Sequence, residues 1–242
     1  MFFAMTATTP VKSPTADAHR SHSVRIWDLP TRLFHWLLVS LVIGLVISGN
    51  LGGNAMPVHG LLGQGVLTLV LFRLIWGLVG GHWSRFTTFV PTPRRLLAYW
   101  VTMRQSGHAP SAGHNPLGAL SVLAMLTVLL LQVASGLISD DEIAFSGPWA
   151  VLAPGDWVSF ATGYHKTWGK ALLLSLVALH LLAIVWHRLR LRHNLLPAMW
   201  HGEQQVPVGT VASRDALGTR VLALLILIAC AWLVRWLMAW GQ

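Results

Sequence analysis

Five stretches of this chain are apolar for long enough to cross a bilayer, and that limits its architecture before anything else is read. A span needs about 20 mostly apolar residues, since a helix rises about 1.5 Å per residue through a hydrocarbon core about 30 Å thick. The stretches are Thr31–Asn50, Val58–Gly80, Pro116–Ser139, His165–His187 and Arg220–Trp240. No water reaches the bilayer core, so each must satisfy its own backbone hydrogen bonds, and all are expected to be helices. The composition agrees: 54% of residues are hydrophobic and 10% charged, where a soluble domain carries roughly 25% charged residues. Thirteen tryptophans against two tyrosines suit a chain with indoles at the membrane–water interface. Arg235, the charge left in the fifth stretch, is near enough its end to reach that interface by snorkelling.

The cations set an expected orientation. Lys12, Arg20, Arg25 and Arg32 precede the first span; Arg85, Arg94, Arg95 and Arg104 separate the second and third; Arg188, Arg190, Arg192, Arg214 and Arg220 separate the fourth and fifth. The LGGNAMP loop has none, and the loop after the third span carries Asp140, Asp141, Glu142 and Asp156, with Lys166 at its end. The positive-inside rule then puts the N-terminus in the cytoplasm and the C-terminus outside. Residues 1–23 are polar, lack the apolar core of a signal peptide, and read as a disordered cytoplasmic tail. Two cytoplasmic stretches, PRRLLAYWVTMRQ and NLLPAMWHGE, read as short amphipathic helices on the membrane surface or as plain loops. The net charge of +9 is a topology signal; no basic stripe points to nucleic acid. The single cysteine, Cys230, excludes an intrachain disulfide framework, a thiolate zinc site and a CxxCH haem attachment.

Four histidines, His35, His59, His165 and His180, lie inside these apolar stretches. An ionisable side chain in a span is costly and marks a functional site by default. Given the alternating spans, His35 and His180 share the cytoplasmic depth, and His59 and His165 share the outer depth. His165 and His180 are fifteen residues apart, which on a regular helix is ~60° around and ~22 Å along. Both then project to one side near opposite membrane faces. Two haems stacked across the bilayer need that arrangement, with His35 and His180 as axial ligands of one and His59 and His165 of the other. Gly63 follows His59 by four residues, and Gly169 follows His165 by four. Each shares its histidine's face, where a flat macrocycle could lie against the backbone; small-residue helix packing is the alternative. Arg73 sits on a face like that of His59 but at cytoplasmic depth, able to pair with a haem propionate or to snorkel. His187 is a rival to His180 but borders water beside Arg188. His114, in HNPLG, either lines the inner haem or is a surface residue before the helix-starting Pro116.

The motifs RIWDLPTRLFHW, HGLLGQGVLTLVLFRLIWGLVG, GHNPLGAL and HKTWGKALLLSLVALH resemble the prokaryotic cytochrome b561 family, which includes the b-type cytochrome subunit of nickel–iron hydrogenases. The resemblance covers about residues 24–202. It implies an all-α integral membrane fold: a four-helix transmembrane bundle binding two b haems, here followed, over 203–242, by a linker and a fifth C-terminal transmembrane helix. It also implies electron transfer between the quinone pool, so that quinone is a candidate second cofactor, and a periplasmic c-type cytochrome or oxidoreductase subunit. Two features depart from the family pattern: the His165–His180 interval is one residue longer, and the fifth span lies outside the shared region, where it could dock a partner or build an oligomer.

Bis-imidazole ligation fills both axial positions of a haem iron and suits electron transfer rather than substrate turnover. A membrane non-haem metalloenzyme would need several histidines at one depth, and a metal or proton transporter would need carboxylates within the spans; neither pattern is present. A pyridine haemochrome assay separates the three. Two haems per chain are expected, against no haem for the other two readings.

Overall fold

The computed structural model describes residues 21–106, 112–143, 145–192 and 194–240. The tail cations Lys12 and Arg20, together with His19, His108 and His193, lie outside the described residues. In chain order the elements are β1 (Ser21–Arg25), α1 (Leu29–Leu51), α2 (Met56–Val79), the short α3 (Phe86–Phe89), α4 (Pro93–Ser106), α5 (Pro116–Leu137), α6 (Gly155–Gly163), α7 (Lys170–Leu189), α8 (Leu196–His201), β2 (Glu203–Pro207) and α9 (Leu217–Ala239). A single wide π-helical turn, Tyr164–Gly169, joins α6 to α7 without a break.

Five helical segments are long and apolar enough to cross a membrane, and the chain is a multi-pass, all-α membrane protein. Four match the expected spans to within a few residues. The fourth does not: it is helical from Gly155 to Leu189, ten residues earlier than expected. Pro154 precedes it and Asp156 sits in its first turn, where a carboxylate complements the helix dipole. Asp156 is therefore a helix residue, not a loop residue, and His165 lies well inside the helix. The two amphipathic stretches are helical, as α4 and α8.

Most apolar side chains face outward, among them Leu37, Ile43, Ile47, Leu179, Leu182, Leu224 and Ile228. A helix apolar on every side is at home in lipid. The buried side chains gather around α2, which packs on α1, α5 and α9. Its Leu69, Phe72 and Trp76 join Phe34, Leu126 and Cys230, while Val66 and Val70 join Val128, Leu129 and Leu173. α7 packs instead on α5, which leaves α1 and α7 on opposite sides of the bundle interior.

One end of the bundle is tied together by a polar hub and a ribbon. Asp28 is fully buried and caps α1 by accepting from the Thr31 amide at 2.8 Å. The same carboxylate accepts from Ser84 Oγ at 2.8 Å, the Gly81 amide at 3.2 Å and Trp76 Nε1 at 3.3 Å. The start of α1 is thereby fixed to the end of α2. β1 and β2 pair antiparallel, Arg25 opposite Glu203, with Val24 and Val206 turned inward. Residues 21–23, expected in the tail, thus begin a strand, and the start of the expected linker is the strand's partner. Backbone pairing settles both, because their alternation is too short to stand out in sequence. Asp215, its side chain 3% exposed, bonds Arg25 at 2.9 Å and Arg220 at 3.0 Å, joining β1 to α9. Burial alone would raise this carboxyl's pKa, but hydrogen bonds from Arg220, the Leu29 backbone and Arg25 hold it below the usual range.

Replacing Asp28 by alanine strands three donors at the hub and removes the α1 cap. A loss of about 3 kcal/mol or more is expected, read as a lower midpoint of thermal unfolding in detergent.

Candidate functional site

The four predicted histidines come together in the two expected pairs. His35 of α1 and His180 of α7 have ring centroids 6.4 Å apart. His59 of α2 and His165 of the wide turn have centroids 6.0 Å apart. The first pair lies toward the ribbon end of the bundle, the second toward the far end. His187 instead turns its Nδ1 to the Ala183 carbonyl of its own helix, at 2.9 Å.

The far pair is anchored by two matching devices. Ser48 Oγ lies 3.1 Å from His59 Nδ1 and donates to the Gly44 carbonyl at 2.7 Å, so it accepts the histidine's proton. His165 Nδ1 donates to the Gln132 carbonyl at 2.8 Å, with Ser135 Oγ at 3.3 Å. In both rings the proton sits on Nδ1 and the lone pair on Nε2, the tautomer that offers a nitrogen to a metal. The residue after each serine is a glycine, and a Cβ there would lie 3.0 Å from the His59 ring at Gly49 and 2.9 Å from the His165 ring at Gly136. Each ring therefore leans on bare backbone of the neighbouring helix. Sequence reading missed these residues, although the repeated Ser-Gly near the ends of α1 and α5 is a visible signal.

Of the two glycines predicted on the ligand faces, Gly63 borders open space: a Cβ there would meet nothing within 4 Å. Gly169 faces Gln132 and Tyr164, with no room for a side chain, and serves close packing of α5 on the wide turn. That turn lies between His165 and His180. A π turn takes in one more residue than an α turn at a small cost in regularity. Gln132 Nε2 stabilises the turn by donating to the His165 carbonyl at 2.9 Å.

At the ribbon end, Arg73 is 3% exposed and does not snorkel. Its guanidinium lies over the rings of Phe86 at 5.1 Å and Phe89 at 5.7 Å. Its Nη1 is buried without a hydrogen-bond partner, as is His35 Nδ1. His114 is not the surface residue its place before Pro116 suggested. Its ring packs against Trp27 at 4.6 Å and Phe89 at 4.8 Å, with Nδ1 sealed and unpartnered. Burial, then the charges of Arg73 and His180, push its pKa down to about 3, so it is neutral at physiological pH. A cleft of about 270 Å³, lined among others by Trp83, Phe89, Arg95 and His114, opens beside it. Among the described residues, no three His, Cys, Asp or Glu side chains cluster as a metal site.

Fold and site together define an all-helical, multi-pass membrane protein with paired imidazoles at two levels of its interior. The chain belongs to the prokaryotic cytochrome b561 family, whose model matches residues 26–202. It is similar to the probable Ni/Fe-hydrogenase B-type cytochrome subunit of Bradyrhizobium diazoefficiens, 24% identical over 76% of this chain and 86% of that one. The corresponding subunit of Rhizobium leguminosarum bv. viciae is 24% identical over 78% of this chain and 94% of its own. The probable Ni/Fe-hydrogenase 1 B-type cytochrome subunit of Escherichia coli K12 is 24% identical over 55% of this chain and 66% of its own. No solved structure matches. Membership implies haem b and membrane electron transfer.

Gly136→Val puts branched carbon where the His165 ring now rests. The variant is expected to lose b-type absorbance, and an optical spectrum of the purified variant beside that of the natural chain checks this.

Proposed function

We propose that the chain is a dihaem electron carrier, with His35 and His180 holding one haem b and His59 and His165 the other. The supporting observation is the spacing of the rings. An imidazole nitrogen binds a metal at about 2 Å, with the ring centre about another ångström behind, so two axial imidazoles have centroids about 6 Å apart. Separations of 6.0 and 6.4 Å fit that span at both levels. The orphaned Nη1 of Arg73, dry and cationic, fits a propionate of the ribbon-end haem, and the open space at Gly63 fits a macrocycle edge. Haem b supplies a one-electron iron centre; the residues supply its place and surroundings. Ser48, Ser135 and the Gln132 carbonyl fix ring orientation and enrich the ligands by accepting their protons. Outward-facing apolar helices keep water away.

The cation pattern supports a cytoplasmic N-terminus, with the ribbon end on the cytoplasmic side and residues 24–202 forming the haem-binding domain. The cleft at His114 and Arg95 is the place proposed for a quinone ring: it is near the small end of ligand-sized cavities and touches aromatic faces and polar nitrogens. At the far end, Glu142 and Asp156 are exposed and suit docking of a basic c-type cytochrome. Asp140 and Asp141 are engaged in shaping the loop, accepting from the Glu142 and Phe145 amides. A hydrogenase or other oxidoreductase is the proposed alternative partner, after the names of the relatives.

Haem stoichiometry tests the reading. The natural chain should carry two haems; His59→Ala and His180→Ala should each carry one, and the double variant none. A double variant with full pigment would end the proposal. Ser48→Ala should raise one of the two midpoint potentials by about 40 mV, the equivalent of one hydrogen bond of about 1 kcal/mol, and leave the other unchanged in a redox titration.

A further inference from the structure

Where α2 ends and α9 begins, a cleft of about 240 Å³ opens to the surface. Val79 and Leu222 line it as apolar wall, and Arg85 and Arg214 as cationic wall. Among the described residues neither guanidinium forms an ion pair. The acids nearby are already engaged, Asp215 with Arg25 and Arg220, and Asp28 with the hub donors. Arg85 uses only Nε, on the Gly80 carbonyl at 2.8 Å. Two positive charges therefore face one small cleft without an anion.

The first turn of α9 meets the same cleft through Gly218 and Thr219. Ala216 provides no side-chain cap there, so the leading amides lack a side-chain acceptor, and the helix dipole adds positive potential. The depth is telling. Val79 is the last residue of one membrane-length helix and Leu217 the first of another, so the arginines stand at headgroup level with Val79 and Leu222 just inside. The cleft also joins two parts of the chain: Val79 and Arg85 belong to the family-matched region, while Arg214, Thr219 and Leu222 lie beyond it.

We propose that this cleft binds a phosphate group, supplied in the membrane by the headgroup of an anionic phospholipid whose acyl chain lies along Val79 and Leu222. The lipid then acts as a bridge between α9 and the four-helix bundle. Bidentate contact from two arginines suits a phosphate better than a carboxylate-sized or neutral headgroup group. The site does not depend on the haem reading, and its test needs no pigment.

Native mass spectrometry of the full chain in detergent, with dioleoylphosphatidylglycerol added, gives the measurement. One lipid should be retained per chain. Arg214 is exposed, so Arg214→Gln should leave the fold intact and weaken retention about tenfold, the loss of one charge-assisted contact. Arg214→Lys should keep most of it, and Arg235→Gln, at the other end of α9, all of it. Inorganic phosphate at the lipid's concentration should not displace the lipid. Equal retention by the natural chain and Arg214→Gln would overturn the proposal. So would an equal loss in Arg235→Gln, which would mean general charge attraction. Displacement by inorganic phosphate would overturn the lipid source and leave a soluble-anion site.

Discussion

A polar ring nitrogen inside a bilayer has only two outlets, another group of the protein or a metal. That constraint organises the whole interior. Imidazoles cannot be left unpartnered at low dielectric without a large penalty. At the far end of the bundle the Nδ1 protons of His59 and His165 go to Ser48 and to the Gln132 carbonyl. What remains is one lone pair on each ring, the two ring centroids 6.0 Å apart. At the ribbon end the arrangement is different: His35 Nδ1, His114 Nδ1 and Arg73 Nη1 are all sealed without a hydrogen-bond partner. The two levels therefore offer unequal surroundings, the far one rich in neutral acceptors and the ribbon one beside a buried cation. Two chemically identical haems placed there would not have the same potential, since charge and second-shell hydrogen bonds set it.

The helices hold these levels in place by dividing the work. α2 is the packing centre, and its buried valines and aromatics meet α1, α5 and α9. α1 and α7 are held to that centre from opposite sides, through α2 and α5 respectively. The His35–His180 distance is accordingly set by three helix interfaces, α1–α2, α2–α5 and α5–α7, and by the Asp28 hub that fixes the start of α1. The wide turn at Tyr164–Gly169 leads into α7, setting His165 opposite His59 while α7 carries His180 to His35.

Much of this was legible in the sequence. The spans follow from hydropathy, and the pairing of histidines follows from alternating direction and helical rise, both local properties of the chain. What escaped reading depends on contacts between distant residues. The start of the fourth span was missed because Asp156, Ser159 and Thr162 dilute the apolar signal of a stretch that is nonetheless helical. Ser48 and Ser135 look like ordinary polar interruptions until the helices are assembled and each hydroxyl meets a histidine from another helix. Asp28 is one acid among loop residues in sequence, yet it collects donors up to 56 positions away. His114, before a helix-starting proline, reads either as a haem-lining or as a surface residue; the packing of Trp27 and Phe89 on its ring is visible only once the elements are assembled. Gly169 met the spacing rule for a ligand face but turns toward α5, because the wide turn alters the helical phase on which that rule relies.

The small ribbon carries a consequence for biosynthesis. Ser23 and Glu203, bonded across it, are 180 positions apart, and four membrane crossings separate the strands. As the chain leaves the ribosome, β1 is made first and must wait unpaired until every helix bearing a proposed ligand has been inserted. β2 follows the last of these helices in the chain and precedes α9, which Asp215 joins to β1 through Arg25 and Arg220. The pairing thus closes one end of the bundle only once the fourth crossing has been made.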